Sequence, residues 1–174
     1  MFSKAFKLGI IENKSEEALK LVNKSITLNP QVAKAWSLKS RILSKLDKDA
    51  DALKCIDEAI KINPQEELDW DYKGDLLRYL KRYDEAIRCY DEAIRINPRF
   101  DIALLWKGLV LHQQHKFDEA IGCMDEVIKE TPDCVDAWLW KGKALGELGR
   151  IDEMNECLGE YNRLNEQPEA CRYL

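Results

Sequence analysis

The sequence predicts an all-α chain of antiparallel helix pairs, stacked pair on pair, and three observations predict it. Pro30, Pro64, Pro98 and Pro132 are spaced 34 residues apart, and self-similarity at such a fixed period marks a repeat array. Small residues keep that period: Ala18, Ala52, Ala86 and Ala120 form one column, and Gly74, Gly108 and Gly142 form another, with Ser40 in the earlier slot. Within a period, apolar residues recur at three- and four-residue steps, the spacing of one helix face. With 8 Gly and 5 Pro in 174 residues, disordered and all-β architectures are disfavoured.

The whole chain, 1–174, reads as one domain, and its elements follow in order. A short first repeat, 1–32, carries Phe2 in the slot that Trp36, Trp70 and Trp138 fill later. Full repeats follow at 33–66, 67–100, 101–134 and 135–168. In the copy from Glu67, Trp70, Gly74 and Leu77 lie on one helix face, and Lys81-Arg82-Tyr83 makes a tight turn. Asp84-Glu85 then enters a first helical turn, where the macrodipole favours carboxylates. Ala86, Tyr90 and Ala93 share one face of the second helix until Asn97-Pro98 stops it, because proline lacks an N–H and restricts its predecessor. Gly74, Ala86 and Ala93 are predicted to let the two backbones approach closely, with Trp70 and Tyr90 filling the volume around them. In the last repeat Met154 and Tyr161 replace the small alanines, as suits a terminal unit. Residues 169–174 are either a tail or the start of a capping helix.

Composition narrows function. A formal charge of -5 and a pI near 5.2 disfavour a nucleic-acid backbone as partner. Charge is uneven: residues 1–66 hold 12 Lys/Arg against 9 Asp/Glu, and the rest 15 against 23. No run approaches the ~18 apolar residues of a membrane span, so no membrane association is expected. Met1 to Leu19 lacks the order of a secretory leader, which makes the cytoplasm the expected compartment.

Reactive chemistry is sparse. Cys55, Cys89, Cys123 and Cys157 are again 34 apart, one per second helix. Neighbouring helix axes lie ~8–10 Å apart and a disulfide needs Cα atoms within ~7 Å, so these read as buried small hydrophobes. Cys134 and Cys171 form no C-x-x-C pair, and reduced thiols are expected throughout. His112 and His115, the two histidines, could share a helix face but lack further ligands in the same turn, so no metal is expected. There is no glycine-rich phosphate loop, G-x-S-x-G or H-E-x-x-H. No enzyme activity and no cofactor are predicted.

Trp70, Gly74, Leu77, Tyr83, Ala86, Tyr90, Ala93 and Pro98 resemble the tetratricopeptide repeat signature, and the other copies match nearly as well, over about 1–166. One departure is systematic: the Leu of that signature's Leu-Gly is Lys39, Lys73, Lys107 and Lys141, each expected to lay its stem on the core and its ammonium in solvent. The resemblance implies a right-handed α-solenoid whose first helices line a concave groove, and a non-enzymatic role as protein-interaction scaffold. Residues flanking the Trp/Gly stripe then point into the groove. Lys34, Arg41 and Lys45 give a basic front, with Arg78 able to join them; Leu68, Tyr72, Leu105, Trp106, Leu109, Leu139, Trp140 and Lys143 give an apolar and aromatic remainder. Trp106 and Trp140 stand outside the Trp column, so they are either groove hot spots or packing between first helices. The partner this predicts is a peptide or helix with an apolar or aromatic segment flanked by acidic residues. A second copy of the chain, meeting the groove or a terminal helix around Met154, Leu158 and Tyr161, is the alternative. The family's clamp for acidic chaperone tails is absent: its slots hold Ser37, Arg41, Tyr72, Ile102 and Trp106.

Overall fold

The computed structural model describes residues 15–167 and 169–173. Phe2 in the Trp slot, the start of the short first repeat and Pro168 at the end of the last lie outside the described residues. All regular structure among the described residues is helical, apart from one isolated bridge between Cys134 and Cys171. The chain divides into two compact units, Met1–Leu80 and Lys81–Leu174, so the boundary falls between the two helices of the 67–100 repeat.

The first unit holds α1 (Ser15–Leu28), α2 (Ala33–Ser44), α3 (Asp49–Ile62) and α4 (Glu67–Tyr79). Each packs on the next in sequence. Ala18 and Val22 of α1 meet Ala35, Leu38 and Ile42 of α2 in one buried cluster. Where α2 meets α3, Ser40 sits in the glycine column and donates from Oγ to the Ala52 carbonyl at 2.7 Å. A hydroxyl is thus tolerated at the closest approach because it has a backbone acceptor.

The second unit holds α5 (Tyr83–Ile96), α6 (Asp101–Gln113), α7 (Phe117–Glu130), α8 (Val135–Glu147) and α9 (Ile151–Asn165). Again each packs on the next, and α6 also touches α8. A Cβ on Gly108 of α6 would collide with the Met124 methyl of α7 and lie 3.2 Å from Cys123 Cβ. One on Gly142 of α8 would meet Cys157 and Leu158 of α9 at 3.4 Å. The glycine column therefore marks where first and second helices of a repeat touch.

Second helices begin acidic and end basic, as the macrodipole favours: Asp84 and Glu85 open α5 and Arg95 closes it, Asp118 and Glu119 open α7 and Lys129 closes it. Three first helices end in the same hydrogen-bonded turn. Lys48, Lys116 and Arg150 donate their N–H to the carbonyls of Leu43, Leu111 and Leu145 at 2.9–3.0 Å.

Two columns behave differently from their sequence reading. Trp36, Trp70 and Trp138 are half-buried rather than enclosed. Each indole N–H donates to a proline carbonyl six residues earlier, on Pro30, Pro64 and Pro132, at 2.8–3.0 Å. A tryptophan's polar edge needs such a partner, which draws the ring toward the helix entry. Three of the four lysines of the altered Leu-Gly slot do not send their ammonium freely into solvent. Lys73, Lys107 and Lys141 pair with Asp57, Asp91 and Asp125 of the preceding second helix at 2.6–2.7 Å. Burial alone would depress the Lys107 ammonium, but the Asp91 hydrogen bond holds it above the ordinary lysine value.

Candidate functional site

In the first unit, α2 and α4 lie side by side and bring together much of the predicted basic front. Lys34, Ser37, Leu38, Arg41, Glu66, Leu68 and Asp69 line a cleft of about 300 Å³. Its floor is apolar, formed by buried Leu38 and by Leu68, a large hydrophobe left 47% exposed. Its rim is mixed in charge. Lys34 is exposed, and the Arg41 guanidinium stacks 4.5 Å from the Tyr72 ring centroid. That contact leaves Arg41 half-buried and orients it across α4.

Asp69, on the same wall, was not singled out by sequence. It is 5% exposed and accepts a 2.8 Å hydrogen bond from the Ser37 hydroxyl. Burial pushes its carboxyl above the usual value, against the pull of that hydrogen bond. Its only sequence signal was its place in the first turn of α4, which it shares with many exposed acids. Along α4, Asp71 is pushed up to about 7, first by burial and then by Asp75, and its Oδ1 is buried without a hydrogen-bond partner. Arg78 stacks on Tyr79 at 4.7 Å and bridges to Asp75 at 3.3 Å, so its charge is already engaged within α4. Lys45 is exposed at the end of α2.

The second unit redistributes the predicted apolar strip. Leu105 and Leu109 are corrections: they are 0% and 9% exposed and belong to a core cluster with Leu104, Met124, Val127, Cys134 and Ala137. Four residues apart on α6, they share a face, and that face packs into the core rather than lining an open surface. Trp106 and Trp140 are partly buried against the same cluster. Leu139 is half-buried, and Lys143 is exposed with its ammonium 3.9 Å from the Trp140 ring centroid.

His112 meets both Trp140 and Phe117 edge-on, at 5.5 and 5.2 Å between centroids. Burial lowers its pKa below the ordinary histidine value. His115 sits instead in the α6–α7 turn at φ 60°. The two are thus separated by role despite their spacing. Among the described residues no group of three or more His, Cys, Asp or Glu gathers to hold a metal, and no helix is long and apolar enough to cross a membrane.

The tail is the feature sequence left open. Residues 169–173 are not helical: they run back along the starts of α6 and α8. Ala170 is buried with Val135 and Leu164. The Tyr173 N–H donates to Asp136 Oδ2 at 2.6 Å, its hydroxyl lies 3.4 Å from Asp101 Oδ2, and its ring packs on the Leu104–Leu105 cluster. Asp101 also accepts from the Thr131 hydroxyl. These tail residues belong to no repeat column, so periodicity gave no means of placing them.

No curated protein sequence matches this chain. Solved structures do resemble it. A crystal structure of MamA superposes with a TM-score of 0.85 at 17% identity, covering 90% of this chain and 92% of that one. MamA residues 41 to the end from Desulfovibrio magneticus RS-1 give 0.86 at 15%, covering 97% and 95%. YrrB, described as a TPR protein with an unusual peptide-binding site, gives 0.79 at 20%, covering 95% and 84%. At such identities these likenesses establish the fold, an all-α helical repeat solenoid. Three family models described as TPR or tetratricopeptide repeat match residues 33–66, 74–115 and 113–153. Helix pairs at a 34-residue period, glycine and alanine at their contacts and three concordant family matches place this chain in the tetratricopeptide repeat family.

Proposed function

We propose that the protein is a non-enzymatic interaction scaffold whose first-helix face binds a peptide or helix of a partner protein. The observation that carries this reading is the α2–α4 cleft, where an apolar floor of Leu38 and Leu68 lies beside Lys34 and Arg41. An apolar side chain of the partner fills the floor, and a neighbouring carboxylate meets the cations. The unusual peptide-binding site described for YrrB supports a peptide as the kind of ligand. In the second unit Leu139, Trp140, Lys143 and the outer edge of Trp106 remain as contact surface, with Tyr72, Lys45 and Arg78 extending the first. Leu105 and Leu109 act from beneath, by holding α6 in place.

The test is selection of displayed peptides against the full chain, followed by titration of the enriched sequences. Aromatic or apolar residues flanked by Asp or Glu are expected. Lys34→Ala with Arg41→Ala should weaken binding at least tenfold at low salt and less at high salt, because charge attraction is screened over ~10 Å, while melting falls only by the small worth of the Arg41–Tyr72 contact. Trp106→Ala with Trp140→Ala should lower stability as well as binding, since both rings already pack on the core. Equal binding by the Lys34/Arg41 variant would sink this reading. A mass that rises with concentration in light scattering would favour self-association instead.

A further inference from the structure

The returning tail places two thiols side by side that the repeat pattern leaves unrelated. Cys134 precedes α8 in an extended conformation, φ -71° and ψ 101°. It pairs with Cys171 across an isolated parallel bridge, and the Val135 N–H donates to the Cys171 carbonyl at 3.0 Å. Backbones paired in this way run about 4.8 Å apart with opposed side chains on one face. That separation falls inside the Cα window of roughly 4.4–6.8 Å that a disulfide needs.

The pairing is braced on both sides. Ala170 is buried beside Val135 and Leu164, and Tyr173 is held by Asp136 at 2.6 Å. The Arg172 guanidinium donates to the carbonyls of Ala170, Asn165 and Gln167 at 3.0–3.3 Å. Cys134 is fully buried, whereas Cys171 is half-exposed. The other cysteines, 55, 89, 123 and 157, are buried one to each second helix.

We propose that Cys134 and Cys171 form a reversible disulfide that clasps residues 169–173 onto the start of α8. The oxidant is a small-molecule disulfide such as oxidised glutathione. Cys171, the accessible thiol, loses its proton to solvent and its sulfur attacks the reagent, breaking the reagent's S–S bond and releasing one thiol. Cys134 then loses its proton and attacks the Cys171 sulfur, forming the internal disulfide and releasing the second thiol. The protein gives up two hydrogens and the reagent becomes two thiols. Burial pushes the Cys134 thiol up to about 12, so the second displacement is the slow one and quickens in alkali. Closing this loop restricts the unfolded chain and fixes Tyr173 against the core; with the thiols reduced the tail is held by its non-covalent contacts alone.

The full chain incubated with oxidised glutathione at mildly alkaline pH tests this. Intact mass should fall by two hydrogens, non-reducing peptide mapping should join the Cys134 and Cys171 peptides, and the melting temperature should rise by several degrees and return on reduction. Cys171→Ser, a change at a half-exposed site, should remain folded and show none of these. Cys134→Ala checks the same bond from its buried end. A persistent glutathione adduct on Cys171, a dimer joined through Cys171 or a cross-link between helix cysteines would each overturn the clasp.

Discussion

Asp47, Lys81, His115 and Gly149 occupy one slot, 34 residues apart, and all have positive φ, between 57° and 71°. This is the turn joining first and second helices, where the left-handed conformation ends the helix and lets the next begin. L-residues bear ~1–2 kcal/mol of strain there and glycine bears little. Lys81→Gly should therefore stabilise the protein by about 0.5–1 kcal/mol, and Gly149→Ala should destabilise it by a similar amount, both read by urea unfolding. Asp71 carries a different strain, set by burial. Its carboxyl titrates at about 7 when folded, against 3.8 ordinarily. Between those pH values the unfolded chain releases the proton while the folded chain keeps it. Stability should accordingly fall as pH rises from about 4 to 7, by at most ~1.4 kcal/mol per pH unit. Asp71→Asn should flatten that slope, leaving the variant the more stable at pH 7 and no better at pH 4. An unchanged pH profile in calorimetry would show that Asp71 is well solvated.

At the scale of helices, glycine has two meanings that the sequence alone does not separate. Gly108 and Gly142 face the second helix of their own repeat, whereas Gly122 in α7 and Gly159 in α9 have open space where a Cβ would go. Glycine inside a helix costs ~0.8–1 kcal/mol relative to alanine. Gly122→Ala and Gly159→Ala should each recover about that much in thermal or urea melts. Gly108→Ala should gain less or lose stability, because its Cβ must displace the Met124 methyl. Helix existence and order were legible from the three- and four-residue spacing and the proline stops, since both act within a turn or two of chain. The tryptophan column was legible as a column, but its half-buried setting at the helix entry was not. Its indole N–H seeks the Pro30, Pro64 and Pro132 carbonyls, and hydropathy spacing carries no information about that bond.

Across the whole molecule, the repeat propagates contacts as well as helices. The pairs Lys73–Asp57, Lys107–Asp91 and Lys141–Asp125 each join a first helix to the second helix before it. A single substitution pattern, lysine in the Leu-Gly slot, thereby becomes an ion pair repeated along the chain, modest at each half-buried site but consistent in register. The sequence by itself determined the all-α repeat, its 34-residue period and the small-residue contact columns, because helix periodicity and backbone approach depend on residue type and local spacing. It also determined which residues share a helix face. Tertiary structure alone decided which face meets solvent: Leu105 and Leu109 turn into the core while Leu68 stays open, since that choice depends on how neighbouring helices stack. It alone placed Cys171 against Cys134 and Tyr173 against Asp136. Those partners lie 37 residues apart, and an aperiodic tail finds its seat only through contacts that do not exist until the helices have packed.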